Sequence, residues 1–133
     1  MKDTEFFEDL TTTGNTCPPE DTFEPNSEQD YFRVIKKNRA VADSFLPKKL
    51  SEEDKAKIDP CIAKSLSVSD SLQSLINSYF KTPANKKREI LVGTLRLMPT
   101  DGLLKQTFAA GHHSWWRSKA FDPSTTIIQT IEQ

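Results

Sequence analysis

The chain has 133 residues, 35% of them hydrophobic and 28% charged, with a formal net charge of −1. That length and balance suit one domain around one core and leave no room for two. No apolar run approaches the roughly 20 residues that cross a bilayer, so a membrane-spanning role is not expected. The first residues, with Asp3, Glu5, Glu8 and Asp9 around Lys2, have neither the positive start nor the apolar stretch of a secretory signal. Cys17 and Cys61 stand apart from each other and from any histidine, without CxxC spacing. The expectation is a cytoplasmic protein with two reduced thiols.

The near-neutral total hides an asymmetry. Residues 1–30 hold nine acids against Lys2, a net −8, whereas the remainder carries 17 Lys and Arg against 10 Asp and Glu, a net +7. A cationic body attracts something anionic: a dinucleotide, a nucleic acid, or its own acidic leader folded back across it. Residues 1–30 show little hydrophobic periodicity, and Pro18, Pro19 and Pro25 disfavour helix, which predicts an extended or partly disordered leader. The division expected is a leader over 1–30 and a folded domain over 31–133.

Asp30 to Lys36 (DYFRVIK) has the aromatic and β-branched density of a strand, with Phe32 and Val34 on one face and Tyr31, Arg33 and Ile35 on the other. Ser51 followed by Glu52, Glu53 and Asp54 reads as a capped short helix to about Ile58, ended by Pro60. Cys61 to Val68 (CIAKSLSV) reads as a second strand. Ser69 or Asp70 then caps a helix whose Leu72, Leu75, Ile76 and Tyr79 follow i, i+3, i+4, i+7 spacing. Lys81 to Arg88 is a basic loop, and Glu89 to Met98 a buried strand in which Gly93 marks a bulge or a close approach. Pro99-Thr100-Asp101-Gly102 is a turn signal, so Leu103 to Phe108 is expected to pair back as a hairpin. The segment from Gly111 and a last strand over Thr125 to Ile131 complete a small α+β fold with a mainly antiparallel sheet and one or two helices.

Both histidines and both tryptophans lie within five consecutive residues, His112 to Trp116. On a strand, His112 and His113 point to opposite faces and cannot share one metal, so no metal site is expected. One imidazole could still serve as acid or base. Trp115 and Trp116 also point apart, so that one could be core and the other an exposed stacking platform for a base or nicotinamide ring, while for either taken singly core packing is the favoured expectation. Arg33, flanked by aromatics in mid-strand, is either a solvent-facing edge arginine or a planar fork for phosphate or ribose. Candidate site residues are Arg33, Ser67 and His112 for catalysis, with Trp116, Arg117 and Lys36 for ligand binding.

Five segments, CPP at Cys17–Pro19, YFRVIKKN at Tyr31–Asn38, DSFLP at Asp43–Pro47, SLSVS at Ser65–Ser69 and GHHSWW at Gly111–Trp116, together resemble a group of short uncharacterised bacterial proteins. Here Arg39-Ala40-Val41 replaces that group's prolines after the first strand, and Ser65 replaces a glycine. More distantly, the layout is similar to ADP-ribosyltransferase-like folds. That resemblance implies NAD as cofactor, held by Arg33 and Ser67, with His112 in the place of the late glutamate; the only late glutamate, Glu132, lies at the end of the chain.

Three functions are compatible with these residues. The first is a non-catalytic interaction or regulatory module, immunity-like, docking an unknown protein partner. The second is an NAD-binding transferase with Arg33, Ser67, His112 and Trp116 in one pocket. The third is a nucleic-acid binder using Lys86, Lys87, Arg88, Arg96, Arg117 and Lys119 as a phosphate-contacting stripe.

Overall fold

In the computed structural model, residues 5–14, 16–47, 49–81 and 89–132 are described. Six strands, β1 (Tyr31–Ile35), β2 (Leu66–Ser69), β3 (Glu89–Leu95), β4 (Gly102–Gln106), β5 (His112–Arg117) and β6 (Ile127–Glu132), form one antiparallel sheet. Their order across the sheet is β4-β5-β2-β1-β3-β6. Three helices, α1 (Glu52–Lys55), α2 (Pro60–Ala63) and α3 (Leu72–Lys81), make the fold α+β. None of them is long and apolar enough to cross a membrane.

Strand alternation divides the side chains between two faces. On the helix face, α3 lays Phe80 with Leu72, Leu75 and Ile76 against Phe32, Val34, Ile90 and Val92. Further across the same face, Trp116 packs with Leu10 and Cys61. The opposite face is covered by 3-10 turns over Val41–Phe45 and Pro123–Thr125, and is called the turn face here. It holds the larger core cluster, with Phe45, Trp115 and Phe121 among Tyr31, Leu66 and Leu104. Gly102, with φ +135°, admits no side chain: a Cβ there would lie 2.3 Å from the Trp116 carbonyl oxygen.

Several expectations change in detail. The segment expected as a strand from Cys61 opens as helix α2, because Asp59 accepts hydrogen bonds from Cys61 N (2.8 Å) and Ile62 N (3.2 Å) and Pro60 occupies the first turn. Pro60 therefore starts a helix where it was expected to end one. Gly93 pairs in regular register with Arg33 and is no bulge, but it is a close approach: a Cβ there would meet Thr126 Cγ2 at 2.6 Å. The strand after the Pro99 turn does not pair back on β3. It crosses to the far edge and forms its hairpin with β5, matching Leu104 to Trp115.

The thiols are not free. Cys17 and Cys61 form a disulfide, which overturns the expectation of two reduced cysteines. The sequence pattern missed it because the partners are 44 residues apart, one in the leader and one at α2.

The described part of the leader is built into the fold. Phe6 bridges to Ser118, and Phe23 to Leu104, as isolated pairs on the sheet. Arg96 meets Asp30 at 2.8 Å, Lys105 meets Asp21 at 2.8 Å and Lys119 meets Glu5 at 3.7 Å. Lys64 donates to the Asp9 carbonyl and to Thr12 Oγ1. Exposed ion pairs contribute about 0–1 kcal/mol each, so the disulfide and the burial of Leu10 anchor the leader while the charges set its register.

Candidate functional site

β5 carries the histidines and tryptophans, and both of its faces are covered. Trp115 points to the turn face at 0% exposure and Trp116 to the helix face at 1%. Each indole N–H is satisfied by a carbonyl, Trp115 by Asp101 (3.1 Å) and Trp116 by Cys61 (2.9 Å). Buried tryptophans with bonded N–H groups are core residues, and neither leaves a ring face open for a base or nicotinamide. Core packing, the favoured expectation for each, holds for both, and the alternative of one exposed platform is removed by α2 and the leader, which close over Trp116.

Arg33 and Arg117 both reach to the turn face and grip the same 3-10 turn. Arg33 Nε donates to the Ser44 carbonyl at 2.7 Å, and its guanidinium also donates to the Ser67 carbonyl at 2.7 Å. Arg117 donates to the Phe45 carbonyl at 3.1 Å and the Phe121 carbonyl at 3.4 Å, lying 4.0 Å from the Phe7 ring centroid. Among the described residues neither arginine meets a carboxylate within ion-pair distance. Burial lowers the Arg33 pKa to about 10, which keeps it protonated at neutral pH. Burial also lowers Arg117, with Glu8 opposing. Both planar forks are turned onto backbone carbonyls, with Arg117 Nε left buried and unpartnered among the described residues, and Arg33 clamps β2 to β1 where their ladder is reduced to Phe32↔Ser69.

Ser67 and His112 face the helix side. Ser67 is exposed and stands opposite Ser114, while His112 stands opposite Ser69. His112 Nδ1 lies 3.1 Å from the Thr107 carbonyl oxygen and 3.2 Å from its hydroxyl, and that hydroxyl lies 2.8 Å from Ser114 Oγ. A carbonyl only accepts, so Nδ1 carries the proton in that contact and Nε2 is the basic nitrogen. Burial lowers the His112 pKa; the Thr107 carbonyl bond opposes this and His113 adds to it. The arrangement offers one imidazole with no carboxylate on Nδ1. His113 points the other way, buried between Phe23 and Tyr31, its Nδ1 without a hydrogen-bond partner.

The expected pocket does not form. Ser67, His112 and Trp116 share the helix face, Arg33 and Arg117 occupy the turn face, and Lys36 lies exposed past the end of β1 with its backbone N–H on Ser44 Oγ (2.8 Å). Among the described residues no group of three His, Cys, Asp or Glu could hold a metal. The phosphate stripe is dispersed too: Arg96 and Lys119 are matched by leader acids and Arg117 is buried, whereas Lys86, Lys87 and Arg88 lie outside the described residues.

One residue stands out that sequence reasoning passed over. Phe108, expected as the end of a strand, sits at the tip of the β4–β5 hairpin with φ 65° and 78% of its surface exposed. Its ring meets His112 edge-on at 5.3 Å between centroids. The signal available was a lone aromatic followed by Ala109-Ala110-Gly111, small residues that leave it unaccompanied at the turn. Compared with protein-family models, curated proteins and solved structures, the chain matches none.

Proposed function

We propose that this chain is a non-catalytic protein-interaction module, immunity-like or regulatory in kind, whose contact point is the tip of the β4–β5 hairpin. The observation that carries this reading is Phe108. A residue with a Cβ in the left-handed region costs about 1–2 kcal/mol, and leaving a large aromatic ring in water forgoes about 2 kcal/mol more. Neither cost is offset inside the molecule beyond one edge contact to His112. An aromatic held proud on a two-stranded support is the geometry of a binding anchor.

The transferase reading has less support. It asks for Arg33 and Ser67 in one NAD pocket, and their side chains leave opposite faces of the sheet. The nucleic-acid reading is weakened in the same way by the leader's acids on Arg96, Lys105 and Lys119. The disulfide supports an oxidising compartment in place of the cytoplasm, since cytosolic thiols are kept reduced.

A photo-crosslinking side chain at position 108, with position 57 as an exposed control, tests the reading in cells that make the protein. A product of defined mass from position 108 alone is expected. No 108-specific product, together with saturable NAD binding by calorimetry that is lost in His112→Ala, would overturn it in favour of the enzyme.

A further inference from the structure

The two edges of the sheet are treated differently. On β4, the leader's Phe23 exchanges backbone hydrogen bonds with Leu104 at 2.9 and 2.8 Å, and Asp21 holds the neighbouring Lys105. That edge is occupied. On β6, no described residue pairs on the outer side of Ile127–Glu132. The strand has no proline, no lysine and no bulge, and Glu132 is its one charge. These are the devices by which edges normally repel another strand, and β6 lacks all but that charge.

Three of the six side chains along this edge are isoleucines. Ile127 is 70% exposed and Ile128 40%, the former on the helix face with Gln129 and Ile131. Ile131 packs into the α3 cluster. Beside it, Ile76, Asn77, Phe80 and Lys81 of α3 line, together with Glu132, a groove of about 290 Å³ of mixed polarity. An exposed isoleucine, Ile127, and a partly buried one, Ile131, thus lie on one face at opposite ends of one short strand, the arrangement an antiparallel twofold pairing would bring together.

We infer that β6 is a self-association edge, to which a second copy of this chain adds its own β6 in antiparallel register centred on Gln129. Cross-strand partners share a face, so the residue on a twofold axis meets itself. Centring on Gln129 sets Ile127 beside Ile131 of the second copy, next to the α3 cluster that Ile131 packs against, and Ile128 beside Thr130 of the second copy. Glu132 then faces Thr126 of the second copy, and the like charges stay apart. Six residues a side fall short of the roughly 1,200–2,000 Å² of stable complexes, so the dimer is weak and concentration-dependent. Its formation is independent of the role proposed for Phe108, which lies at the other side of the sheet.

Sedimentation of the full chain over about 10 µM to 1 mM is expected to show a reversible shift from monomer toward dimer. Ile127→Lys is expected to raise the dissociation constant at least about tenfold with an unchanged melting temperature, since the side chain is exposed in the monomer. Gln129→Cys is expected to cross-link the dimer under mild oxidation, because facing Cα atoms lie about 4.5–5.5 Å apart. Ile127→Cys is not expected to do so, its copies being about 13 Å apart along the strand. A monomer at every concentration, a dimer indifferent to Ile127→Lys, or cross-linking at 127 in preference to 129 would each overturn the inference.

Discussion

At the scale of single residues, the half-buried Arg33 and the buried Arg117 carry the most information. A guanidinium with several fixed donors can satisfy carbonyls on two elements at once, which is how Arg33 joins Ser44 to Ser67. Arg33→Lys is expected to destabilise the protein by about 1–3 kcal/mol, since one ammonium cannot span both acceptors; a lower urea midpoint with an unchanged slope would show it. His112 supplies a pH dependence. Its folded-state pKa is held below the ordinary 6.5, mainly by burial, so protons bind the unfolded chain more readily. Stability from this group is complete above 6.5 and is lost as the pH falls from there toward the depressed folded value. Urea midpoints between about pH 7 and 5 should decline in the natural chain, and less steeply in His112→Asn, whose amide can still reach Thr107. The aromatic setting of Arg33 and the opposite directions of the paired histidines and tryptophans were legible in the sequence, because strand alternation is local. What each side chain met was not, because Phe45, Cys61 and the leader's Phe7 arrive from distant parts of the chain.

At the scale of elements, periodicity performed well where it was long and poorly where capping decided the outcome. Leu72, Leu75, Ile76 and Tyr79 announced α3, and the β-branched run in Glu89–Leu95 announced β3. Before them, Cys61 to Val68 has enough apolar residues to read as a strand throughout, yet Asp59-Pro60 is a cap followed by a first-turn proline, and those two residues turn its start into α2 and delay the strand, β2, to Leu66. That turn places Cys61 under Trp116 and opposite Cys17. The disulfide closes a loop with a sequence separation of 44, for which chain entropy implies about 4 kcal/mol of stabilisation. Thiol titration of the native protein is expected to find no free cysteine, and Cys17→Ser to lower the melting temperature by at least several degrees. Two titratable thiols and an unshifted transition would contradict the pairing.

At the scale of the whole molecule, the leader and the body form one charge-balanced unit. Leader residues fill the β4 edge, cover Trp116 and match three body cations. Deleting residues 1–30 is therefore expected to lower the melting temperature and shift tryptophan emission to the red, as Trp116 meets water; a deleted chain with native emission would show the leader to be dispensable. In the twofold assembly through β6, the two β4–β5 hairpins stand at the outer ends of a joined sheet, so each copy presents its Phe108 away from the seam. The α+β class, the presence of the six strands, α3 and the charge asymmetry follow from the sequence by itself, since patterning and composition act over a few neighbouring residues. Which strands pair, that Cys17 meets Cys61, that both tryptophans are buried and that Arg33 stands on the other face from Ser67 and His112 were decided only by tertiary structure. Those outcomes depend on contacts between segments far apart in the chain, and on which of several compatible edges and faces each segment covers.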